Sequence, residues 1–329
     1  MKKYSTLILD KKTIEKLVDI RKSIIAIERA FYEYGKNRVQ MPPKIYLHLG
    51  RFSGDFRAMP VYADKFNKCA LKWVNVHPKN YKSGLPAVMA IIILNDPRNG
   101  FPLCVMDGTY ATALRTAAAG AVAAKYLARP ESALVSLIGS GRQARMQLSG
   151  LYEIFPIKKV KIWSPDMVSV NNFIKEMKSL KVGLLPSKTA KSCVENSDIV
   201  VTTTPSSKPL IKRQWLKKGV HINAMGADAK GKQELDPWIL KSAKVVVDNW
   251  QQAVHSGEIN MAFAKGIIHK RDIYADIGEI VFKSKGARAD KNEITVFDST
   301  GLAIQDLAIA DLIYKSAIRR KAGKWFKFF

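Results

Sequence analysis

The first hundred residues combine one amphipathic helix with several short apolar runs. Ile20, Ile24, Ile27 and Phe31 recur at the spacing of a single helix face, which predicts a helix over residues 12–34. Short apolar, β-rich runs that are separated by Gly, Pro and Asn predict an antiparallel sheet. The three runs are Ile45–Leu49, Leu71–Val76 and Val88–Leu94.

After residue 110 the pattern changes to helices that alternate with buried strands. Alanine dominates Ala111–Pro130, which predicts a helix that ends before Pro130. Repeated strand-then-helix spacing beyond it predicts parallel βαβ units. The strand candidates are Ala133–Ile138, Val160–Trp163, Ile199–Thr203, Val220–Ala224 and Val245–Val247. A last helix, Leu302–Ile318, follows the segment ITVFDSTG.

The composition favours a soluble protein. The chain has 329 residues, 47% of them hydrophobic, which allows two domains or one large one. No apolar run approaches the roughly 18 residues of a membrane helix. The opening residues lack the long apolar core and the cleavage site of a signal peptide. We therefore expect a cytoplasmic protein that does not associate with membranes.

Cysteine, histidine and charge exclude other classes of function. Cys69, Cys104 and Cys193 are far apart, and the five histidines form no H-x-x-x-H pair, so we expect neither a disulfide framework nor a metal site. The net charge of +26 raises the question of nucleic acid. Because the lysines and arginines are scattered, we interpret the charge as a solvated surface and expect no specific nucleic-acid partner.

The segment VSLIGSGRQARMQLSG carries a dinucleotide-binding fingerprint, G-x-G-x-x-A. A strand candidate precedes it, a helix candidate follows at Gln143–Ile154, and the strand VKIW comes next. Gly139 allows the tight turn, Gly141 lets the backbone approach a pyrophosphate, and Ala144 lets the helix pack on the strand. The free N–H groups of the helix start suit the phosphates. The predicted cofactor residues of this loop are Gly139, Ser140, Gly141, Arg142, Gln143 and Ala144.

The end of the second strand bears on the choice between NAD and NADP. NAD-binding chains place a carboxylate there to hold the ribose 2′-hydroxyl. Here Ser164 follows Trp163, and Asp166 comes two residues later. A serine does not repel a 2′-phosphate, and Arg142 is placed to help hold one. The sequence therefore permits NADP and leaves NAD or NADP open.

Nine motifs in order carry a family resemblance. They are MPPKIYL, FRAMPVY, LKWVNVHPKN, GFPLCVMDGTYATALRTAAAG, GSGRQA, TTTPSSKPLI, HINAMGADAKGKQELD, HSGEIN and VFDSTGLAIQD. Together they resemble the ornithine cyclodeaminase and mu-crystallin family, from about residue 14 to the C-terminus. Within that family, sequence segments such as LKWVN, KQELD and GEIN are most similar to those of the archaeal alanine dehydrogenases.

The resemblance implies an α/β fold of two domains in a homodimer. A Rossmann domain with a doubly wound parallel sheet is expected over residues 115–299. Residues 1–114 and 300–329 are expected to form a second, discontinuous α+β domain for substrate binding and dimerisation. This arrangement accounts for a fingerprint in the middle of the chain.

The resemblance also implies roles for four basic residues in the first 115 residues of the chain. Arg115 in LRTAA clamps the substrate carboxylate, a task that suits its planar fork. Lys72 in LKWVN binds the same carboxylate. Lys44 and Arg57 match basic positions of the archaeal enzymes, and Lys44 either holds the carboxylate or carries a proton. We list Lys44, Lys72 and Arg115 as both catalytic and substrate-binding, and Arg57 as substrate-binding.

Further residues follow from the second half of the chain. Asp228 follows the strand VHINA, at the carboxyl end where ligands bind in open α/β sheets, and the family places its general acid and base there. Lys232 and Ser299 match family positions near the cofactor. The predicted cofactor set is completed by Ser164, Thr203 and Met225.

We therefore expect an NAD(P)-dependent oxidoreductase of amino-acid metabolism that interconverts L-alanine with pyruvate and ammonia. One alternative is an enzyme acting on a related substrate, either a reductase of cyclic imines such as pyrroline-2-carboxylate or an ornithine cyclodeaminase-like enzyme. Ornithine is disfavoured because Arg57 stands where ornithine-specific enzymes have an acidic residue. Another alternative is a non-catalytic cofactor-binding protein, as in the structural roles of mu-crystallin.

Overall fold

The computed structural model describes residues 4–328, apart from the side chain of Tyr81, and it divides into two compact units. The described residues up to Arg115, with those from Leu302 onward, form unit 1, and Thr116–Gly301 form unit 2. Residues 1–3 and 329 of the predicted domain ranges lie outside the described residues.

The described residues form sixteen strands and eleven α-helices. In chain order, β1–β16 are Thr6–Leu9, Val39–Gln40, Ile45–Leu49, Gly54–Ala63, Lys68–Val76, Val88–Asn95, Pro102–Asp107, Leu134–Ile138, Lys159–Trp163, Gly183–Pro186, Ile199–Thr202, His221–Ala224, Lys244–Val247, Ile273–Asp276, Thr295–Asp298 and Lys324–Phe326. The helices α1–α11 are Lys11–Leu17, Ile20–Gly35, Gly108–Leu127, Arg142–Tyr152, Met167–Met177, Ala190–Val194, Pro237–Ser242, Trp250–Ser256, Asn260–Ala264, Ile277–Val281 and Ala303–Arg320. Short 3₁₀ helices occupy Gly50–Phe52, Pro78–Ser83, Lys178–Leu180, Arg213–Trp215 and Lys270–Asp272.

Unit 1 contains an eight-stranded sheet in the order β16-β1-β7-β6-β5-β4-β2, with β3 also paired to β4. The predicted antiparallel pairing is confirmed from β3 to β7, and β1 is an exception because it runs parallel to β7. Helix α11 packs on β4, β5 and β6 and against α2. The last helix of the chain therefore covers one face of a sheet whose strands come from the described residues up to Asp107 and from Lys324–Phe326.

The amphipathic helix predicted over residues 12–34 is wrong as a single element, because the structure contains two helices there. Helix α1 ends at Leu17, and α2 begins after Asp19, whose backbone is extended. The Asp19 carboxylate accepts a hydrogen bond from Lys22 N at 2.9 Å, as an N-cap does. The apolar face predicted for this stretch is buried along α2.

Unit 2 is the predicted doubly wound parallel sheet. Its strand order is β10-β9-β8-β11-β12-β15-β13-β14, and every pair in it is parallel. From β8 the chain winds outward through β9 to β10 and then returns to β11 on the other side. Such a reversal opens a crevice at the carboxyl ends of the two central strands, where ligands bind in this class of fold. No helix within residues 4–328 has the length and apolarity that crossing a membrane requires.

Small residues allow the second half of α3 to pack closely in unit 2. A Cβ atom added to Gly120 would lie 2.1 Å from Gln147 Oε1, and one added to Gly150 would lie 2.9 Å from Ala117 O. The alanines between residues 117 and 124 are fully buried. The alanine-rich composition of α3 therefore reflects close packing as well as helix propensity.

Candidate active site

The fingerprint loop lies at the point where the sheet of unit 2 reverses direction. Gly139 follows β8 with φ of +106°, a conformation that favours glycine. A Cβ atom there would lie 2.7 Å from Thr203 Oγ1, on the loop after β11. Gly139 N donates to Trp163 O at 2.8 Å, at the end of β9. The predicted loop thus joins the carboxyl ends of three neighbouring strands.

The start of α4 has the features of a phosphate site. Gly141 is its N-cap and has no side-chain cap, so the first N–H groups of the helix are left for a ligand. A Cβ atom at Gly141 would meet nothing within 4 Å, so the backbone is open there. Gln143 Oε1 is buried and has no hydrogen-bond partner within residues 4–328. Ala144, by contrast, is fully buried. These residues fit a dinucleotide.

Two side chains brace this loop. Ser140 is buried and its Oγ donates to Ser169 Oγ at 2.7 Å. Arg145 Nη1 donates to Ser140 O, and its Nε lies 2.6 Å from Glu176 Oε2. Sequence analysis missed Arg145, although it stands inside the quoted motif. Arg142, which was singled out instead, is exposed.

Ser164 takes the position that distinguishes the two cofactors. It is the first residue after β9 and is partly buried. Asp166 serves as the N-cap of α5, and its carboxylate accepts from Val168 N at 3.0 Å. Because this carboxylate is used for capping, the group at the end of β9 is the Ser164 hydroxyl.

Thr203, Met225 and Ser299 follow β11, β12 and β15, so they lie at the same sheet edge as the fingerprint. Thr203 N donates to Ile138 O at 2.9 Å, and Met225 N donates to Thr202 O at 3.0 Å. The Ser299 hydroxyl donates to Asp248 Oδ2 at 3.3 Å. The structure therefore brings the predicted cofactor residues of five strands to one edge.

Asp228 lies on the loop that follows β12. Its carboxylate is partly exposed and forms an ion pair with Lys232 Nζ. A neighbouring ammonium favours the charged form of a carboxylate. The structure thus pairs two residues that the sequence assigned to separate tasks.

In unit 1, Lys72 lies in an otherwise apolar row of the sheet. Its neighbours across the strands are Met59 on β4 and Ile92 on β6, and Met106 on β7 continues the row. The side chain of Lys72 is only 1% exposed. A lysine this deeply buried needs a charged partner or loses its proton.

The partner is Asp306 on α11, which is also 1% exposed. Its Oδ2 lies 2.7 Å from Lys72 Nζ, and its Oδ1 lies 3.2 Å from Arg115 Nε. Gln305 Oε1 accepts from Arg115 Nη1 at 2.9 Å. Asp306 pairs with Nε of Arg115, and Gln305 accepts from Nη1. Neither residue contacts the Nη2 side of the guanidinium.

Burial lowers the pKa of Lys72 to about 7, well below the ordinary value of 10.5. The Asp306 carboxylate raises this pKa, whereas the charges of Arg115 and Lys44 lower it further. Arg115 and Lys44 therefore act on the same buried ammonium. Three of the four predicted substrate-binding cations thus interact within one cluster.

Arg57 lies on the same face of the sheet as Lys72, because Met59, two residues along β4, is paired with Lys72. It is 6% exposed, and its Nε and Nη2 donate to Asp55 at 2.7 Å and 3.2 Å. Its guanidinium also lies over the Tyr46 ring, 5.3 Å from the centroid. Arg57 is therefore a buried, oriented cation.

The arrangement provides two chemical capacities. In unit 1, the cluster of Lys44, Lys72 and Arg115, with Arg57 on the same face of the sheet, suits a small carboxylate. The sheet edge of unit 2 suits a dinucleotide and carries a carboxylate, Asp228, for proton transfer. Within residues 4–328 no group of three His, Cys, Asp or Glu side chains is placed to hold a metal ion.

Sequence analysis missed Asp306, although VFDSTGLAIQD was among the quoted motifs. A signal was present, because Asp306 and Asp311 interrupt an otherwise apolar face of α11.

Residues 4–321, which include the candidate site residues of both units, match the model of the ornithine cyclodeaminase/mu-crystallin family. The chain belongs to the ornithine cyclodeaminase/mu-crystallin family.

Relatives within this family include dehydrogenases and imine reductases. The chain is 48% identical to alanine dehydrogenase of Archaeoglobus fulgidus, over 98% of this chain and 99% of that one. It is similar to a solved archaeal alanine dehydrogenase dimer with bound NAD, with a TM-score of 0.95, 47% identity, and coverage of 99% of this chain and 100% of the other. It is also similar to Δ1-pyrroline-2-carboxylate reductase of Thermococcus litoralis in complex with NADH and L-proline, with a TM-score of 0.95, 35% identity, and coverage of 97% and 99%.

Proposed function

We propose that the protein is an NAD(H)-dependent amino-acid dehydrogenase that interconverts L-alanine with pyruvate and ammonia. The observation that carries the choice of substrate is the 48% identity to an alanine dehydrogenase over nearly the whole chain. The geometry of each unit supports the reaction class, because one unit has a buried basic cluster and the other has a dinucleotide-binding sheet edge.

The basic cluster of unit 1 binds the substrate carboxylate. Arg115 presents the side of its fork that Asp306 and Gln305 do not hold, and Lys72 adds a second cation 2.7 Å from the same aspartate. Arg57 and Lys44 complete the basic lining. A fixed guanidinium suits this task because it binds a carboxylate in two places without losing further side-chain freedom.

The sheet edge of unit 2 binds the cofactor. Residues 139–144 hold the phosphates, Ser164 lies beside the ribose, and Thr203, Met225, Lys232 and Ser299 line the same edge. When bound, NAD(H) would supply the hydride acceptor for alanine and the hydride donor for the imine of pyruvate. NAD is the cofactor of the solved archaeal relative, and Ser164 extends acceptance to NADP because a hydroxyl does not repel the 2′-phosphate.

Asp228 moves the protons. In the oxidative direction its carboxylate takes a proton from the water that attacks the imino carbon, and in the reductive direction it returns one. Lys232 pairs with this carboxylate. The net reaction consumes alanine, NAD⁺ and water and forms pyruvate, ammonium, NADH and a proton.

A second candidate function is the reduction of cyclic imines. It is favoured by the TM-score of 0.95 to the pyrroline-2-carboxylate reductase with bound L-proline. The same clamp suits both substrates, because each carries a carboxylate beside the reacting carbon. Ornithine fits less well, because a distal amine would meet the buried cation Arg57.

Absorbance at 340 nm separates these functions. We expect NADH oxidation with pyruvate plus ammonia to exceed oxidation with pyrroline-2-carboxylate. The reverse order would establish the imine reductase, and no oxidation with either would favour a non-catalytic cofactor-binding protein. Arg115→Lys should raise the KM for pyruvate, whereas Arg98→Lys should not, because Arg98 has a side chain that is 77% exposed.

The domain roles, the homodimer and the location belong to the same proposal. The face of the unit 1 sheet opposite Lys72 is apolar and exposed at Ile45, Leu47, Trp73 and Ile91, and a second copy of the chain would cover it. Light scattering after gel filtration tests the dimer. Three unpaired cysteines support a reducing, cytoplasmic location, which cell fractionation tests.

A further inference from the structure

Four carboxyl groups in unit 2 are fully buried. Asp248 accepts from Ser299, and the other three take no part in the proposed chemistry. Glu234, Glu258 and Asp298 are each 0% exposed. They belong to the quoted motifs KQELD, HSGEIN and VFDSTG. The roles proposed so far do not explain why these motifs contain the three acids. A carboxyl group buried this completely is costly unless its oxygens are hydrogen-bonded.

Glu234 ties together the loops that follow two neighbouring strands. Its Oε1 accepts from Thr204 N at 2.7 Å, and its Oε2 accepts from Gly226 N at 3.1 Å. Thr204 is the second residue after β11, and Gly226 is the second residue after β12. A Cβ atom on Gly226 would lie 2.3 Å from Glu234 Oε2, so glycine is what allows this approach.

Glu258 and Asp298 form a second layer behind Glu234. Glu258 Oε1 accepts from Glu234 N at 2.8 Å and from Leu235 N at 2.6 Å. Asp298, the last residue of β15, accepts from Glu258 N at 2.9 Å and from Ile259 N at 3.0 Å. The three carboxyl groups therefore connect the end of β15 with the loops after β11 and β12.

The loop that carries Asp228 is held at a second point by Asn260. Asn260 Oδ1 accepts from Gly231 N at 3.0 Å, and its Nδ2 donates to Lys232 O at 2.8 Å. Asp228 thus lies between two anchored positions, Gly226 and Gly231. The anchor at Gly226 also fixes Met225, its neighbour in the chain.

The two glutamates differ in acidity. Burial raises the pKa of Glu234 to about 7, while the hydrogen bonds that it accepts from Thr204 and Gly226 lower it. Burial and the charges of Glu234 and Asp298 raise the pKa of Glu258 well above its ordinary value. Glu258 Oε2 has no hydrogen-bond partner within residues 4–328. Of the two glutamates, Glu234 therefore gives up its proton more readily, and Glu258 keeps its proton to higher pH.

We propose that Glu234 is a positioning residue of the dehydrogenase, whose carboxylate fixes the loops of Thr203 and Asp228 for cofactor binding and proton transfer. The inference rests on the proposed function for its kinetic consequence. Its consequence for cofactor binding requires only the dinucleotide site.

Two isosteric variants test the proposal. Glu258→Gln keeps an oxygen that accepts from Glu234 N and Leu235 N and leaves both Glu234 anchors in place. NADH affinity and kcat should therefore stay within about twofold. Glu234→Gln directs an NH₂ group at one of two backbone N–H groups, so one anchor is lost. NADH affinity should fall about tenfold or more, the usual effect of losing a hydrogen bond to a charged group.

The pH profile provides a readout that a purely structural role would not change. When Glu234 takes up a proton, one of its oxygens becomes a donor and releases an anchor, so wild-type NADH affinity should fall as pH drops below about 7. Glu258 is the titratable group that faces Glu234, and Asp298 is the carboxylate that faces Glu258. The Glu234→Gln variant should bind NADH weakly at every pH, and its NADH affinity should not show the fall below about pH 7.

The NADH fluorescence titration does not depend on which keto acid is the substrate. A negative result would therefore refute the role of Glu234 without refuting the proposed function. Equal effects in the two variants, or a pH limb that survives in Glu234→Gln, would overturn the proposal. If Glu234→Gln does not fold, Gly226→Ala replaces it, because the added Cβ displaces the same anchor. Unchanged NADH affinity in Gly226→Ala would equally overturn it.

Discussion

The variant Asp306→Asn isolates the charge that organises the basic cluster of unit 1. Asp306 contacts Lys72 Nζ at 2.7 Å and Arg115 Nε at 3.2 Å, and it is 1% exposed. Asparagine keeps the shape of the side chain and removes its charge. Lys72 then has no carboxylate to offset its burial, while Arg115 and Lys44 still lower its pKa.

Coulomb's law gives the order of magnitude of the effect. Two unit charges about 4 Å apart interact with about 4 kcal/mol at an effective dielectric constant near 20. At 1.36 kcal/mol per tenfold step, this is about a thousandfold change in the protonation equilibrium of Lys72. The pKa of Lys72 is already about 7 in the wild type, so Lys72 is neutral at pH 7 in the variant. Loss of this proton avoids an unpaired buried ammonium at Lys72, and Arg115 keeps its hydrogen bond to Gln305.

The assay is the KM for pyruvate from pH 6 to pH 9, with NADH and ammonia saturating. Wild-type KM should rise as pH increases through about 7, because Lys72 loses its proton while the pyruvate carboxylate stays charged. In Asp306→Asn the KM should already be raised about tenfold or more at pH 6, as expected for loss of a charge-assisted hydrogen bond, and should vary little above it.

Asp311→Asn is the matched control. Asp311 lies on the same helix and is 4% exposed, and it pairs with Lys68 at 3.0 Å and Lys315 at 2.6 Å. Its replacement should lower stability and leave the pyruvate KM unchanged. If Asp306→Asn retained the wild-type KM and the wild-type pH dependence, Asp306 would have no part in the clamp.

Four further predictions concern unit 2. Gly141→Val should abolish NADH binding in a fluorescence titration and leave the circular dichroism spectrum unchanged, because the added side chain meets only the open space at the start of α4. Ser164→Asp should shift the ratio of kcat/KM values from NADPH towards NADH, and a wild type that rejects NADPH would refute this role of Ser164. Asp228→Asn should lower kcat by about 10²–10⁴ in steady-state kinetics, the usual contribution of general acid and base catalysis, with little change in NADH affinity. Burial lowers the pKa of His221 from 6.5 to about 3; since the unfolded chain takes up that proton first, the free energy of unfolding should decrease by about 1.4 kcal/mol per pH unit below 6.5, and His221→Gln should remove this slope in urea denaturation.

The sequence predicts most of unit 2 because its signals are local. Each predicted strand there lies on an observed strand, since apolar runs bounded by turn residues are buried on both faces of a parallel sheet. In unit 1 the strand Gly54–Ala63 was not predicted, because Gly54 and Pro60 interrupt its pattern. Pairing of β1 with β7 and β16 joins distant parts of the chain, and no local pattern records it.

The site divides in the same way. Gly139, Gly141 and Ala144 are recognisable because turn, phosphate approach and helix packing each demand a small residue at a fixed spacing. Ser164 is recognisable because it follows a predicted strand. What the sequence could not give is the set of partners that fix these residues, such as Arg145 at the carbonyl of Ser140.

Asp306 shows why the partners of the site residues could not be predicted from the sequence. In the sequence it is one of two acids in a helix rich in aliphatic residues, and an acid there is also compatible with a surface position. Its meaning comes from the return of α11 onto β4, β5 and β6, which brings Gln305 to Arg115 across 190 residues of chain. Lys72 is equally ambiguous until that helix covers it, because a lysine in a strand is ordinary at an exposed position and costly at a buried one. The chemistry of the clamp therefore depends on two residues whose charges have a role only once the last helix packs on the first sheet.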